Sequence, residues 1–292
     1  MLSRRRPFAL WLALVGLAAV PAPAAGQNEP AFDGGTLYGG GQVGGTIDRP
    51  RVQFMTARSS NDGAHVRVQA HFLANCPGVD GPLFAFVSVT LPVDAERSFQ
   101  GSGEYRAGPD DGDYTISGRF VTGDVVTGTA RLTMTTTFEG RPVSCDTGLF
   151  SWQARDPLHR PGSGRFARGT SYLGTTTQAF PAMIRTARRG RTVTLGAFEY
   201  ELDCEQRGKV FASLDIGPLD VSRRGAFSAA TPYATAGPDG STLRISIELS
   251  GRFTARVVRG TLSGTARMVR DGNVIDRCRL DRIRWSSERA RR

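Results

Sequence analysis

This chain carries the same unit twice, so whatever it folds into must be buildable two times over. Ser117-Gly118-Arg119-Phe120 recurs as Ser250-Gly251-Arg252-Phe253, 133 residues further on. Cys145 and Cys278, and Trp152 and Trp285, keep the same 133-residue offset. Gly128-Thr129-Ala130-Arg131 has a counterpart in Gly264-Thr265-Ala266-Arg267, Phe72-Leu73-Ala74-Asn75-Cys76 in Tyr200-Glu201-Leu202-Asp203-Cys204, and Gly35-Thr36-Leu37-Tyr38 in Gly169-Thr170-Ser171-Tyr172. Matches that keep their order along the chain define two homologous units, 34–155 and 168–288, each of ordinary domain length. Residues 156–167 join them. Asp156-Pro157-Leu158-His159-Arg160-Pro161-Gly162-Ser163-Gly164 is too rich in Pro, Gly and Ser for a helix or a central strand and reads as a linker. A short basic tail, 289–292, follows the second unit.

The units read as strand-built. Leu243, Ile245, Ile247, Leu249 and Phe253 alternate with Arg244, Ser246, Glu248, Ser250 and Arg252. That period of two gives one apolar and one polar face. Tyr114, Ile116 and Phe120 repeat the pattern in the first unit, and Val66, Val68, Ala70, Phe72, Ala74 and Cys76 form another apolar face, with His71 and Asn75 pointing away. Phe84 to Leu91 reads as a buried strand. Asp62-Gly63, Glu139-Gly140, Asp271-Gly272 and Gly237-Pro238-Asp239-Gly240 supply turns between such runs. The expected fold is all-β: two tandem homologous antiparallel β-sandwich or barrel-like domains, each with one disulfide.

The start of the chain reads as an export signal, 1–25. Arg4-Arg5-Arg6 precedes an apolar run from Phe8 to Val20, and Ala22-Pro23-Ala24 supplies small residues for cleavage. That run is shorter than the roughly 20 residues needed to cross a bilayer, and no later stretch is long and apolar enough to be a transmembrane segment. A secreted or periplasmic protein is expected. In such a compartment Cys76, Cys145, Cys204 and Cys278 are expected to be oxidised. Their spacing matches no zinc or thioredoxin-type motif and leaves three pairings open. The duplication favours Cys76–Cys145 and Cys204–Cys278, one early and one late cysteine in each unit.

The formal charge of +10 rests on 37 basic and 27 acidic residues, and Lys209 is the only lysine. Such arginine skew, with abundant Ala, Gly and Pro, is expected of GC-rich coding and does not by itself imply an anionic partner. Without the three signal arginines the charge is +7, from basic residues that read as spread along the chain. No nucleic-acid-binding motif or aromatic-basic interleaving accompanies them, so nucleic acid is not an expected partner.

Few residues are placed for catalysis. The mature chain has His65, His71 and His159 alone, and no G-x-S-x-G elbow. His65 and His71 share a strand face without a third ligand nearby and read as solvent-facing polar residues; no metal or other cofactor is expected. Glu199, Glu201 and Asp203 share a face in the second unit, where the first has His71, Leu73 and Asn75, and read as a solvated acidic face. Asp110-Asp111-Gly112-Asp113 gathers carboxylates outside EF-hand spacing, with Asp111 and Asp113 as candidate binding residues. Arg119 and Arg252, repeated and outward by alternation, are candidate anion clamps or structural ion-pair partners. Trp152 and Trp285 read as core.

Ser-Gly-Arg-Phe, Gly-Thr-Ala-Arg, then a Cys with a Trp seven residues on resembles a group of exported all-β proteins of high-GC bacteria. The resemblance covers about a third of each unit, implies an exported β fold, and carries no activity. The second unit departs from it at Arg279-Leu280, where the first has Asp146-Thr147-Gly148. The expected function is that of an exported, non-catalytic binding or surface-interaction protein with an extracellular or periplasmic ligand or protein partner. A hydrolase of cell-wall or extracellular polysaccharide using acids such as Glu199 or Asp111, and a structural envelope protein, are the alternatives.

Overall fold

The computed structural model describes residues 30–43, 53–79, 83–108, 110–138, 140–156, 167–189, 191–236, 241–254 and 256–290. The expected signal segment, residues 157–166 of the linker with His159, and the turn at 237–240 lie outside the described residues. The first unit comprises β1 (Leu37–Gln42), β2 (Phe54–Ser59), β3 (His65–Ala74), β4 (Leu83–Pro92), β5 (Ser98–Ala107), β6 (Asp110–Thr122), β7 (Val125–Phe138), β8 (Arg141–Asp146) and β9 (Phe150–Arg155). The second comprises β10 (Ser171–Thr176), β11 (Pro181–Thr186), β12 (Thr192–Cys204), β13 (Gly208–Ile216), β14 (Leu219–Asp220), β15 (Ala226–Ala236), β16 (Thr242–Thr254), β17 (Val257–Arg270) and β18 (Asn273–Arg289).

Each unit is one antiparallel sheet, in the order β4-β3-β2-β1-β9-β7-β6-β5 and β13-β12-β11-β10-β18-β17-β16-β15. The sheets curl, so that the inward residues of each gather into one core. The end of β12 folds across to pair with β18, setting Cys204 opposite Cys278, and Asn75 bridges to Asp146 beside Cys76 and Cys145. The disulfides Cys76–Cys145 and Cys204–Cys278 staple these crossings. Each closes a loop of 69 or 74 residues in the unfolded chain, a restriction of about 4 kcal/mol in the entropy model. The alternation in 243–253 appears as strict inside-outside burial along β16, and Val66, Val68, Ala70 and Phe72 are fully buried. Asp271 and Gly272, both at positive φ, make the two-residue turn between β17 and β18. Gly148, also at positive φ, separates β8 from β9, whereas β18 runs on unbroken from Arg279 through Leu280.

The repeated Ser-Gly-Arg-Phe motif has a packing reason. Phe99, Gly118, Gly128 and Trp152 lie side by side on neighbouring strands, as do Phe227, Gly251, Gly260 and Trp285. With no side chain on the two middle strands, the flanking rings lean over the glycines to centroid separations of 6.3 Å in both units. Phe120 and Phe253 extend each cluster to Phe99 and Phe227. This register corrects one sequence match. Gly128-Thr129 is equivalent to Gly260-Thr261, not to Gly264-Thr265: each glycine pairs with its unit's tryptophan, and Ser117–Thr129 and Ser250–Thr261 make the same 2.9 Å hydroxyl contact. The second unit reads Gly260-Thr261-Leu262-Ser263 at the equivalent place and carries the string Gly-Thr-Ala-Arg four residues later, at 264–267, which drew the match away.

The units pack against one another through β1, β2, β3 and β9 on one side and β10, β11, β12 and β18 on the other. Gly39 in β1 sits so close to the Gly174 carbonyl that no side chain fits there. Phe54 packs with Leu173, Met183, Leu195 and Ala197. Arg185 is buried, donates from Nη2 to the Gln42 carbonyl at 3.2 Å, and is held below the usual arginine range by burial. Three contacts join residues at equivalent positions of the two repeats. His71 Nδ1 lies 2.6 Å from Glu199 Oε1, Arg155 Nη1 lies 2.9 Å from Glu288 Oε1, and the Phe84 and Phe211 rings are 6.3 Å apart. Units related by translation cannot bring several residues onto their own counterparts. A two-fold axis does so along its length. The chain is therefore a pseudo-symmetric dimer of its own halves.

This overturns the reading of His71 and Glu199 as solvated. Both sit on the polar face of their strands, as alternation requires, but that face is covered by the other unit: His71 is 7% and Glu199 0% exposed. Phe84, Phe86 and Phe211 surround the imidazole at centroid distances of 4.7 to 5.6 Å. Of the acids that share the face with Glu199, Asp203 is exposed and paired with Lys209 at 2.7 Å. Burial pushes the Glu199 carboxyl above the usual glutamate range, and the charge and hydrogen bond of His71 draw it back.

Two outcomes are expected. In Gly251→Ala the methyl meets the Phe227 ring, so urea unfolding followed by tryptophan fluorescence should give a loss of about 2 kcal/mol, with a similar loss for Gly118→Ala against Phe99. In His71→Leu only desolvation still acts on Glu199. A raised folded pKa means that the folded state holds a proton the unfolded chain releases. That stabilisation is present below about pH 4.3 and is lost as pH rises through the folded value. Stability of His71→Leu should therefore fall with rising pH more steeply than that of the unmodified protein; parallel profiles would contradict the pairing.

Candidate functional site

The outer face of β16, β17 and β18 is where the two repeats differ most. Register defines equivalent positions on the shared scaffold. In the first unit Asp111, Thr135 and Ser144 lie side by side across β6, β7 and β8. In the second, Arg244, Arg267 and Arg277 take those three places. One row along, Asp146 of the first unit becomes Arg279. Two further arginines, Arg252 and Arg259, face each other at the opposite end of the same ladder, where the first unit has Arg119 opposite Thr127.

All of these second-unit arginines are exposed. Residues directly opposite in an antiparallel sheet have Cβ atoms about 5 Å apart, and like charges there are destabilising. Arg279 is relieved by Asp281 at 2.8 Å. Arg244, Arg267, Arg277, Arg252 and Arg259 have no acidic partner within salt-bridge distance among the described residues, and Glu248 alone carries negative charge on the outward side of β16. In the first unit Arg131, at the place that Ser263 takes in the second, is clamped by Asp146 through two hydrogen bonds of 3.1 and 2.6 Å, which raises the guanidinium and lowers the carboxylate from their ordinary ranges.

Beside the ladder, β15 presents Ala226, Ser228, Ala230, Pro232 and Ala234 outward, all small or low. Two open hollows result. One, of about 500 Å³, is lined by Arg244, Arg267, Ser246, Thr265, Pro232 and Ala234 among others. The second, of about 520 Å³, includes Arg252, Arg259, Ser228, Ser250, Gly251 and Gly260. Each combines two guanidinium groups with serine or threonine hydroxyls, a donor set suited to carboxylate, sulfate or phosphate.

The candidate residues from sequence are thus separated. Arg252 belongs to the second hollow. Arg119, its repeat counterpart, is exposed on a face where the first unit answers its other arginines, Arg106 and Arg131, with acids. Asp111 and Asp113 lie outward on β6; Arg106 reaches Asp111 at 3.6 Å and Glu104 at 2.7 Å, so the acids there sit in a charge network with arginine. The one cluster of potential metal ligands among the described residues, Cys204, Asp276 and Cys278, has both sulfurs in the disulfide, and Asp276 accepts the backbone amides of Gln206 and Arg207.

The reading of basic residues as evenly spread is corrected. Residues 34–155 carry 10 arginines and 12 acids, a net of −2; residues 168–288 carry 18 arginines, one lysine and 12 acids, a net of +7. Coding bias acts on both repeats alike, so it does not account for the difference. Counting charge by unit would have found it from sequence; the alignment of the arginines into rows needed strand register.

Arg267→Thr places the first unit's residue in the middle of the arginine row. Its urea midpoint should exceed that of the unmodified protein at low salt, and the gain should shrink at high salt as charges are screened; a lower midpoint at both would mean that the row is structurally required. No helix among the described residues is long and apolar enough to cross a membrane. The chain matches no family model, no curated protein and no solved structure.

Proposed function

We propose that this is an exported, non-catalytic binding protein that presents the outer face of β16–β18 to an anionic ligand. The observation that carries the proposal is the row Arg244, Arg267 and Arg277, like charges held side by side on a scaffold whose other copy does without them. Repulsion of this kind is retained at a cost to the fold, and an anion across the row turns it into bidentate pairing. The export-type leader and the two disulfides agree with a secreted or periplasmic setting. Glu199, one of the acids a hydrolase reading would use, is closed off between the units and cannot reach a polymer in an open cleft.

The test is binding of the mature protein to immobilised dextran sulfate, with uncharged dextran as control. Salt-sensitive retention on the sulfated polymer alone is expected, largely lost in Arg244→Thr/Arg267→Thr/Arg277→Thr and kept in Arg119→Thr. Equal retention on both polymers would refute anion binding; equal loss in Arg119→Thr would refute the assignment to the second unit.

A further inference from the structure

The two hollows lie on one ladder. Arg244 and Arg252 are eight residues apart on β16, about 27 Å at the rise of an extended strand. Each hollow has its own arginine pair, Arg244 with Arg267 and Arg252 with Arg259. Between them the outward positions of β16 and its neighbour are Ser246, Glu248 and Ser250 facing Thr265, Ser263 and Thr261. Along β16 and β17 the face is therefore cationic at both ends and hydroxyl-lined in the middle, with Glu248 the carboxylate between; on β18 alongside, Arg279, paired with Asp281, lies opposite Thr265, and Arg284 lies opposite Thr261.

This arrangement selects among polyanions. Glu248 repels a chain that carries charge at every step, as the sugar-phosphate backbone does. The outward positions of β16–β18 also hold no aromatic ring on which bases could stack, the contact that single-stranded nucleic acid exploits. Tyr233 lines the first hollow, but its hydroxyl is engaged with Tyr200 at 2.6 Å and the Ser213 carbonyl at 3.3 Å, and burial pushes its pKa up to about 12. A sugar chain with acidic residues separated by neutral ones meets all three requirements: charge at the ends, hydroxyls to pair with Ser and Thr, and no negative group forced onto Glu248.

Building on the anion-binding reading, we infer that the ligand is a linear acidic polysaccharide that occupies both hollows at once. The small outward residues of β15 leave the strip beside the ladder open along its length. Two linked contacts give avidity. A chain that reaches both arginine pairs binds on the order of 100-fold or more tighter than a fragment that reaches one.

The experiment uses hyaluronan, in which glucuronate alternates with a neutral amino sugar, as a length series from disaccharide to a chain longer than about 27 Å. Neutral chitin oligosaccharides and oligothymidylate serve as controls, all measured by calorimetry on the mature protein. The expected result is a rise in affinity of about 100-fold once the chain spans both hollows. Arg252→Ser/Arg259→Ser should abolish the rise and remove one of two disaccharide sites, halving the stoichiometry while the first hollow still binds. Circular dichroism verifies that this variant is folded. Affinity independent of length would overturn the spanning inference and leave anion binding standing. Oligothymidylate binding as tightly as long hyaluronan would overturn the polysaccharide assignment. Absence of binding to every anion, together with no retention on dextran sulfate, would overturn both readings.

Discussion

The buried contact between the two repeats is the constraint on which the rest depends. Near a two-fold axis a residue meets its own counterpart, so a charged side chain there would face an identical charge. Two glutamates at the Glu199 position, or two arginines at the Arg155 position, would be buried as like charges without a partner, which is prohibitive in a low-dielectric interior. The chain avoids this by joining the halves covalently and letting each position differ between copies: His71 with Glu199, Arg155 with Glu288. Tandem fusion is what makes complementary residues at equivalent positions possible, because each copy then carries its own codon.

Once the halves differ for that reason, their outer faces are free to differ too. The inner scaffold holds both to one plan. Phe99 and Trp152 over Gly118 and Gly128, and Phe227 and Trp285 over Gly251 and Gly260, use the same strand positions and the same ring separation. The cysteine staples sit at the same crossings. What remains unconstrained is the solvent side of β6–β8 and β16–β18, and there the first unit has Asp111, Thr135 and Ser144 and the second has Arg244, Arg267 and Arg277. Stability sits in the shared interior and the specific charge on one exterior.

Much of this was legible from the residues. The duplication, the disulfide pairing, the all-β class and the outward placement of Arg119 and Arg252 follow from period-two alternation and repeated spacing, which are local properties. Even the His71–Glu199 equivalence can be read from the alignment of the repeats. Its meaning could not be, because alternation assigns a residue to a face without saying whether that face meets water or another sheet. The match of Gly128 onto Gly264 likewise failed because Gly-Thr occurs twice in β17, at 260–261 and 264–265, and only strand register tells which copy stands opposite the tryptophan.

Local patterning was enough for two disulfide-closed, strand-built units: side-chain periodicity sets which residues each strand turns inward, and the repeat sets which cysteines pair, whereas the joining of each unit into one curled sheet follows from strand order. Tertiary packing turned the polar faces of β3 and β12 into an interior and set arginines from three strands in one row, with no acidic partner within salt-bridge distance among the described residues. Both results depend on which strands become neighbours, and strand neighbourhood is a long-range property that hydrogen-bond register and the packing of one unit on the other settle together.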